Sequence, residues 1–326
     1  MEKKDKNNSR NIYETIIVGG GPAGLTAGIY LSRSRINVLL LEKALPGGQA
    51  NLTEMIENYP GFPEGVLGPE LMQRFEKQAR GFGLEIINDT VLEIDQIEKE
   101  EEKHFQIKTN YNTFYCKTII IASGAQASQL GVPGENEFRG RGVSYCATCD
   151  GAFFRGKEIV VVGGGDAAIE ESLFLTKFAS KVHVVHRRGE LRAAKILQER
   201  AFANPKINFI WHSIVMEIKG KEQVEAVQLK NVTNEQEILF PCQGVFIFTG
   251  YSPTYPSLGS LKDKIVNEKG YIITDECMMT AIKGVFACGD VRAKVLRQVI
   301  TACGEGASAA FFAEKYLEYL SSKEAE

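Results

Sequence analysis

The sequence predicts an α/β fold built from two related domains, with the second domain inserted into the first. The main observation is a repeated order of β-branched apolar strand, glycine-rich turn, helix and strand, at residues 14–43 and again at 158–188. Each half also contains a further apolar strand that ends in small residues, at 118–125 and 244–251. Strands that alternate with helices in this way are typical of parallel sheets covered by helices.

Length and composition are those of an ordinary soluble globular protein of about two domains. The 326 residues are 44% hydrophobic and 24% charged. The net charge of −3 predicts no electrostatic surface for nucleic acid or for an anionic membrane. The polar segment 1–11 lacks the apolar core of a secretory signal, and no apolar run approaches the roughly 20 residues that span a bilayer. The seven cysteines are odd in number and mostly lie in apolar runs, which favours reduced thiols and a cytoplasmic location.

The first glycine-rich turn, GGGPAG at 19–24, is predicted to bind the pyrophosphate of a dinucleotide. Gly19 permits the tight turn, Gly21 lets backbone approach the phosphates, and Gly24 lets the helix pack closely on the strand. The N-terminus of that helix faces the phosphate charge. Glu42 ends the next strand, where a carboxylate can accept hydrogen bonds from a ribose diol, so this copy suits FAD or NAD.

The second turn, GGGDAA at 163–168, has Gly163, Gly165 and Ala168 in the corresponding places. The strand that follows it ends in a basic cluster made of His186, Arg187, Arg188 and, four residues later, Arg192. Guanidinium groups there would bind a 2′-phosphate through charge-assisted contacts, which favours NADPH, whereas the alternative is a solvated basic surface. Two nucleotides in one chain indicate electron transfer.

The C-terminal part of the chain is predicted to complete the first nucleotide site as a flavin site. Residues 285–291 read as a strand followed by Gly-Asp, and residues 297–317 read as a helix that opens beside it. Asp290 would hold a ribityl hydroxyl, and the helix N-terminus would face the electron-rich end of the flavin. A turn-capping role for Asp290 is the alternative.

A flavin role for Asp290 makes the first domain discontinuous. The FAD-binding domain would comprise residues 1–125 and 252–326, and residues 126–251 would form the inserted NADPH-binding domain. Each is expected to be a Rossmann-like, three-layer (ββα) nucleotide-binding domain. The chain would cross between them near 123–126 and 249–253, where small and turn-forming residues can act as hinges.

The segment SYCATCDG, at 144–151, places two cysteines two residues apart and an acid after the second. A structural disulfide there would stabilise little, since the loop-entropy relation gives roughly 2 kcal/mol for so short a loop. A zinc site would need further ligands, but the sequence has no second such pair and its histidines are scattered, so no metal is expected. Cysteine pairs of this spacing tend to have lowered pKa values and to form reducible disulfides, which favours a redox pair. Asp150 would be a proton donor or, alternatively, a turn cap.

Seven motifs occur along the chain in one order: GGGPAG (19–24), PGGQ (46–49), ENYPGFP (57–63), CATCDG (146–151), GGGDAA (163–168), HRRGELR (186–192) and ACGDV with RQ (287–291 and 297–298). Together they resemble the motifs of low-molecular-weight, bacterial-type thioredoxin reductases over nearly the whole length. The resemblance implies a homodimeric, NADPH-dependent flavoprotein that contains FAD and reduces thioredoxin. Hydride would pass from NADPH to FAD and two electrons to the Cys146–Cys149 disulfide, with a domain rotation between the half-reactions.

The resemblance also implies roles for individual residues. Cys149 would be the sulfur on the flavin side, Cys146 the thiol that attacks the thioredoxin disulfide, and Asp150 the acid–base group. The residues expected at FAD are Gly19, Gly21, Ala23, Gly24, Glu42, Lys43, Gly48, Gln49, Asn58, Gly124, Asp290, Arg297 and Gln298. Those expected at NADPH are Gly163, Gly165, Asp166, Ala167, His186, Arg187, Arg188 and Arg192. Those expected to meet thioredoxin are Arg141 and two aromatics taken as exposed, Phe153 and Phe154, for which ordinary packing is the alternative.

Related flavoproteins are the main alternatives. The reductase subunit of alkyl hydroperoxide systems carries an additional CxxC pair, which is absent here, and a flavin dithiol oxidase would not need the arginine cluster. A reductase of the same kind that acts on a different redoxin or a peroxiredoxin is the alternative function. A redox sensor that does not turn over is the alternative from another class. Cys288 and Cys303 stand where the family more often has alanine, and we expect them to be small buried hydrophobes.

Overall fold

The structure, a computed structural model, describes residues 12–53, 55–99 and 102–324. The segment 1–11, which is expected not to be a secretory signal, lies outside the described residues. The chain divides into two compact units, Met1–Gln126 with Pro253–Glu326, and Ala127–Ser252. Each crossing falls one residue after the position predicted from the sequence. We call the two the outer unit and the inserted unit.

The secondary structure follows the predicted alternation of strands and helices. Before the first crossing the strands are β1 (Ile12–Val18), β2 (Val38–Glu42), β3 (Met55–Ile56), β4 (Val66–Leu67), β5 (Glu85–Asn88), β6 (Val91–Lys99), β7 (Glu102–Thr109), β8 (Thr113–Ile121) and β9 (Ala125–Ala127). The α-helices of this part are α1 (Pro22–Arg33) and α2 (Gly68–Gly81). A 3₁₀-helix covers Gly48–Leu52.

The inserted segment and the C-terminal segment continue the same pattern. The strands of the inserted segment are β10 (Val143–Ser144), β11 (Glu158–Gly163), β12 (Lys181–Val185), β13 (Ile207–Ile210), β14 (Ser213–Gly220), β15 (Val224–Asn231), β16 (Glu237–Pro241) and β17 (Val245–Phe248). Its helices are α3 (Ala147–Asp150), α4 (Asp166–Leu175) and α5 (Lys195–Ala203), with a 3₁₀-helix at Gly151–Phe154. Strand β18 (Tyr251–Pro253) spans the second crossing, and the C-terminal segment contributes α6 (Lys262–Ile265), β19 (Val285–Ala287) and α7 (Val299–Glu324), with 3₁₀-helices at Gly259–Leu261 and Gly289–Val291.

The outer unit is built around one mixed sheet with the strand order β5-β2-β1-β8-β7-β6, in which β19 pairs with β8. Strands β1, β2, β5, β8 and β19 are parallel, and β6 and β7 add an antiparallel hairpin. Alternate residues of the strands face opposite sides. Ile17 and Leu40 therefore enter the apolar core that α1 and α7 also line, while Ile16 and Leu39 enter the core on the other face.

The inserted unit has a five-stranded parallel sheet with the order β10-β17-β11-β12-β13. One face buries Val161 and Val184 in a core shared with α4 and α5. The other face buries Val160 in a core shared with residues of the antiparallel sheet β14-β15-β16, including Val215 and Val227. Helices, parallel sheet and antiparallel sheet thus form three layers. The predicted α/β class with Rossmann-like domains is confirmed.

Parallel pairing brings the carboxyl ends of neighbouring strands to one edge of each sheet, and that edge carries the glycine-rich turns. The first turn joins β1 to α1, and the second joins β11 to α4. In open α/β sheets, ligands bind outside the carboxyl ends of the strands. Within the described residues, none of the helices combines the length and the apolar character needed to cross a bilayer.

Candidate functional site

In the first glycine-rich turn, an added side chain would clash with the backbone at two glycines, whereas a third glycine has free space beside it. Gly19 has a φ of +107°, and a Cβ added there would lie 2.5 Å from the carbonyl oxygen of Ala122. A Cβ on Gly24 would lie 1.9 Å from the carbonyl oxygen of Gly19. At Gly21, by contrast, an added Cβ meets no atom within 4 Å. The turn is therefore closed against β8 and α1, while Gly21 faces open space.

Glu42 is held at the end of β2 by the backbone of the same turn. Its Oε2 accepts a hydrogen bond from the N–H of Gly20 at 2.6 Å, and its Oε1 accepts one from the N–H of Ala44 at 3.0 Å. A carboxylate has about four acceptor positions, so two remain for other donors. The side chain is nearly buried and borders open space on the ligand side of the turn.

A cavity of about 210 Å³ lies along this turn in the outer unit. Ten of the residues predicted for FAD line it: Gly19, Gly21, Ala23, Glu42, Lys43, Gly48, Gln49, Gly124, Asp290 and Gln298. A second cavity, of about 200 Å³, shares Gly19, Glu42 and Lys43 with the first. Asp89, Thr90, Tyr255 and Pro256 also line it, and they come from loops that carry no recognisable motif, so the sequence offered no signal for them.

Three residues predicted for FAD do not line either cavity. Gly24 instead forms the close contact between α1 and the turn. Asn58 donates a hydrogen bond from Nδ2 to Oε1 of Gln298 at 3.0 Å, so it acts on a lining residue. The guanidinium carbon of Arg297 lies 4.4 Å from the ring centroid of Tyr271, and its buried Nε has no hydrogen-bond partner among the described residues.

The residues of this cavity fit a dinucleotide. The open backbone at Gly21 leaves room for phosphate groups, and Glu42 keeps acceptor capacity for ribose hydroxyls. Next to the lining residue Gln298, the buried Nε of Arg297 has no acceptor among the described residues, which is the state expected of a group that serves a ligand. The fit is therefore supported by the free space at Gly21, by the free acceptor positions of Glu42 and by the unpaired donor of Arg297.

The inserted unit has a larger cavity, of about 480 Å³, over the second glycine-rich turn. Four of the residues predicted for NADPH line it: Gly163, His186, Arg187 and Arg192. Gln129, Leu130, Ser213 and Thr249 line it too and were not predicted, because they come from two loops and from the first residue of β14, all without a motif. Gly165, Asp166, Ala167 and Arg188 do not line the cavity. Asp166 instead accepts a hydrogen bond from the N–H of Ala194 at 2.7 Å, ahead of α5.

The basic cluster at the end of β12 consists of three exposed arginines and one buried histidine. His186 is 6% exposed, and a Cβ added to Gly164 would lie 2.4 Å from its Cε1 atom. Burial lowers the pKa of His186, and the positive charge of Arg192 lowers it further. The imidazole is therefore neutral at neutral pH and packs under the glycine-rich turn, while the arginines Arg187 and Arg192 present charge to the cavity.

Cys146 and Cys149 form a disulfide, with their Cα atoms 5.4 Å apart. Cys146 immediately precedes α3, and its Sγ accepts a hydrogen bond from the N–H of Cys149 at 3.2 Å. The hydroxyl of Ser144 lies 3.1 Å from both the N–H and the carbonyl oxygen of Cys146, which anchors the loop from the other side. Cys149 is exposed and Cys146 is half-buried. The pair is thus closed and one of its sulfurs is accessible.

Asp150 lines a cavity of about 200 Å³ beside the disulfide loop. Arg141 and Phe153 line the same cavity, and Phe153 is 73% exposed. The expectation that Phe154 is exposed is wrong. Its side chain is 7% exposed, and its ring centroid lies 5.0 Å from that of Phe246 in the core, because β17 passes beneath the loop. Arg141 donates to the carbonyl oxygen of Glu137 at 2.7 Å.

The two unusual cysteines are both buried, as expected. Burial raises the pKa of the Cys288 thiol and of the Cys303 thiol, so both are protonated at neutral pH. Cys303 lies 4.0 Å from the hydroxyl oxygen of Tyr59, whose own pKa burial raises to about 12. In the part of the chain that the structure describes, no group of three or more His, Cys, Asp or Glu residues is arranged to hold a metal ion.

Comparison with known proteins agrees with this geometry. Residues 13–306 match the family described as pyridine nucleotide-disulphide oxidoreductase. The chain is 48% identical over 310 residues to the thioredoxin reductase of Bacillus subtilis (strain 168), covering 95% of this chain and 96% of the relative. It is 47% identical over 315 residues to the thioredoxin reductase of Peptoclostridium acidaminophilum, covering 94% and 98%.

Two solved structures are similar over almost the whole chain. The crystal structure of Lactococcus lactis thioredoxin reductase has a TM-score of 0.90 and 47% sequence identity, covering 94% of this chain and 99% of that one. The crystal structure of T. acidophilum thioredoxin reductase has a TM-score of 0.87 and 32% identity, covering 95% and 100%. Fold and sequence are thus similar to the same group of proteins.

Proposed function

The chain belongs to the pyridine nucleotide-disulphide oxidoreductase family, and from this premise we propose that it is an NADPH-dependent thioredoxin-disulfide reductase that contains FAD. The observation that carries the proposal is the disulfide between Cys146 and Cys149, located in the same unit as a nucleotide cavity flanked by arginines. The outer unit supplies a second dinucleotide cavity.

The cavity of the outer unit would hold FAD. Gly21 would let the backbone approach the pyrophosphate, Glu42 would accept hydrogen bonds from a ribose, and Asp290 would accept hydrogen bonds from the ribityl chain. When bound, FAD supplies the ability to take a hydride from a nicotinamide and to release two electrons to a disulfide. Gly48, Gln49 and Gln298 contribute the remaining polar surface of the cavity. The backbone of the first turn and the start of α7 would thus border the cofactor.

NADPH is held by the cavity of the inserted unit. Arg187 and Arg192 give its wall two permanent positive charges, which suit the 2′-phosphate that distinguishes NADPH from NADH. Gly163 lets the backbone turn tightly beneath the pyrophosphate, since a Cβ there would lie 2.5 Å from the carbonyl oxygen of Phe248. His186 stays neutral and supports the turn from below. The two arginines therefore provide the preference for NADPH over NADH, and His186 supports the backbone of the turn.

The disulfide is the site of exchange with thioredoxin. Reduction of the Cys146–Cys149 bond takes two electrons and two protons and yields two thiols. One proton arrives with the hydride of NADPH and the other comes from solvent, and Asp150 would relay the solvent proton. The Cys146 thiolate then attacks the thioredoxin disulfide, and the Cys149 thiolate resolves the mixed disulfide, so that thioredoxin leaves with two thiols and the enzyme disulfide reforms. Thioredoxin's potential lies near −270 mV, so we expect the internal pair to lie close to that value.

We propose that the inserted unit rotates between the two half-reactions. The NADPH cavity and the disulfide both belong to the inserted unit, whereas the FAD residues belong to the outer unit, so the same unit would have to bring first one and then the other to the flavin. We place the hinge at the two crossings. Gly124 and Gly250, with φ values of +69° and +135°, lie next to them. A crosslink between the units is expected to abolish multiple turnover, and full activity of a crosslinked enzyme would refute the rotation.

The active form is a homodimer in the cytoplasm. Exposed apolar side chains of the outer unit support self-association, among them Leu45, Leu52, Val295, Leu296 and Ile300. Five cysteines remain outside the disulfide, which suits a reducing compartment. Light scattering at micromolar concentration tests the dimer, for which a monomeric mass would be the contrary result.

Anaerobic titration with NADPH tests the function. We expect flavin absorbance to bleach on addition of NADPH, and catalytic amounts of enzyme to reduce thioredoxin with stoichiometric NADPH use. Cys149→Ser should retain flavin bleaching and lose thioredoxin reduction. Cys277→Ser is the matched control, since Cys277 is half-buried and outside the disulfide, and it should keep both.

Three contrary outcomes of this titration are informative. Purified protein without flavin would refute the assignment. Bleaching without turnover of any protein disulfide would favour a redox sensor. Turnover of another redoxin or of a peroxiredoxin, but not of thioredoxin, would favour the related reductase.

A further inference from the structure

Four charged side chains form a compact cluster behind the FAD cavity of the outer unit. Lys294 Nζ lies 3.1 Å from Oδ1 of Asp290 and 3.5 Å from Oε1 of Glu305. Arg292 Nη1 lies 3.0 Å from the same oxygen of Glu305. The two positive and two negative charges balance. We call Asp290, Arg292, Lys294 and Glu305 the charge cluster.

Lys294 is the most deeply buried member. Its side chain is 8% exposed, compared with 13% for Arg292 and 15% for Glu305. A buried ammonium group is retained only where carboxylates and hydrogen bonds compensate for lost hydration. Lys294 has such partners on two sides, in Asp290 and in Glu305, so its position is tightly determined.

One oxygen of the Asp290 carboxylate faces the charge cluster, and the residue also lines the FAD cavity. Its Oδ1 is buried and faces Lys294, whereas the side chain as a whole is one-third exposed and lines the FAD cavity. Lys294 thus lies at ion-pair distance from one carboxylate oxygen, which forms no hydrogen bond within the described residues, and the rest of the group faces the cavity. Without the ammonium, this oxygen would lose its ion pair, and the carboxylate could turn away from its present orientation.

The cluster also reaches the two backbone segments that border the cavity. Glu305, on α7, accepts a hydrogen bond from the N–H of Gly289 at 2.8 Å, one residue before Asp290. Lys294 Nζ lies 3.4 Å from Oγ1 of Thr301, which accepts the N–H of Gln298 at 3.2 Å. Gly289 and Gln298 both line the cavity. Lys294 thus contacts Glu305 and Thr301, the two side chains that hydrogen-bond to the backbone at the borders of the cavity.

We propose that Lys294 is a positioning residue for FAD, which acts by holding the Asp290 carboxylate in the orientation that accepts the ribityl chain. The proposal rests on the proposed function, since it needs FAD in this cavity. Lys294 itself does not line the cavity. Lys294 therefore affects FAD binding indirectly, through the orientation of the Asp290 carboxylate.

A double-mutant cycle on the holoenzyme tests this positioning role. The dissociation constant of FAD is measured from the free-flavin fluorescence that appears when the holoenzyme is diluted. Lys294→Met is expected to raise it at least tenfold, which corresponds to about 1.4 kcal/mol. Lys294→Arg should restore it to within about threefold, since a guanidinium keeps the charge. If Lys294→Met fails to fold, Lys294→Gln replaces it.

The decisive comparison is made in the Asp290→Asn background. There, Lys294→Met should change the FAD dissociation constant less than twofold, because the carboxylate that it positions is gone. An equal change in both backgrounds would mean a merely structural role and would overturn the proposal. So would an unchanged constant in the single variant.

The control removes a lysine from an exposed ion pair on α7, the helix that carries Glu305. Lys315 Nζ lies 2.8 Å from Glu318, and both side chains are about half exposed, so Lys315→Met should leave FAD binding unchanged. Wild-type protein that binds no FAD would refute the proposed function as well. Wild-type protein that binds FAD and is bleached by NADPH, with Lys294 variants that bind equally well, would refute only the positioning role.

Discussion

The hydroxyl oxygen of Tyr145 lies 2.6 Å from Oε1 of Glu135, a carboxylate that is 1% exposed. The same carboxylate accepts the N–H of Leu130 at 2.8 Å and the N–H of Gly131 at 2.6 Å. Leu130 lines the NADPH cavity, and Tyr145 directly precedes Cys146. One buried acid therefore joins the nucleotide loop to the disulfide loop.

Tyr145→Phe is expected to lower the free energy of unfolding of the inserted unit by about 1–3 kcal/mol, because a buried carboxylate loses one of its three donors. Trp211, the single tryptophan, lies in this unit, so its fluorescence in urea reports the transition. Tyr111→Phe makes the same change at an exposed ring and should be neutral. A loss below about 0.5 kcal/mol for Tyr145→Phe would show that this hydrogen bond contributes little.

Gly21→Ala is expected to leave the fold intact and to weaken FAD binding at least tenfold. An added methyl meets no protein atom within 4 Å, but it projects where the phosphates approach the backbone. Flavin content after dialysis and the far-ultraviolet circular dichroism spectrum separate the two effects. Gly81→Ala, at the end of α2, is an equally open position away from the cavity and serves as control. Unchanged flavin retention in Gly21→Ala would contradict the assigned approach.

Arg187→Ala and Arg192→Ala are each expected to raise the KM for NADPH about 10- to 100-fold, with kcat changed less than twofold. The reason is the loss of a charge-assisted contact, worth about 1.5–3 kcal/mol. The KM for NADH should stay the same, because NADH has no 2′-phosphate. Lys221→Ala removes an exposed charge elsewhere in the unit and is the control. Equal losses with both nucleotides would exclude a 2′-phosphate role.

His186 should make the inserted unit less stable in mild acid. Burial and Arg192 lower its pKa below the ordinary value of 6.5, so the unfolded chain binds this proton more tightly than the folded one. The contribution is fully present above pH 6.5 and is lost as the pH falls toward the folded-state pKa. Thermal midpoints followed by Trp211 fluorescence from pH 8 to 5 should fall more steeply for wild type than for His186→Gln. Parallel curves would argue against a neutral buried imidazole.

Many secondary-structure elements of both units could be predicted because the sequence patterns that indicate them are local. Gly19 and Gly163 both have positive φ values at strand-to-helix turns, a backbone conformation that residues with a side chain rarely adopt. The apolar strands before these turns and the helices after them have periodicities that survive in the structure as β1, α1, β11 and α4. The local sequence pattern was therefore enough to predict these turns and the strands and helices beside them.

Other features depended on segments that are distant in the sequence. Phe154 follows an exposed aromatic and has no local mark of burial, yet β17 supplies Phe246 beneath it. His186 stands in a row of arginines, and only packing against Gly164 removes it from solvent. Tyr255 and Ser213 line cavities although nothing in their surroundings in the sequence indicates a site.

The amino-acid order alone determined the repeat of two nucleotide-binding patterns, the cysteine pair and the change from Glu42 to an arginine cluster at equivalent strand ends. Tertiary structure alone decided which of the candidate side chains reach a cavity and which ones support those that do, as Lys294 supports Asp290 and Asn58 contacts Gln298. The physical reason is range. Backbone sterics and strand periodicity act over a few residues, whereas burial and charge pairing depend on neighbours brought together by folding.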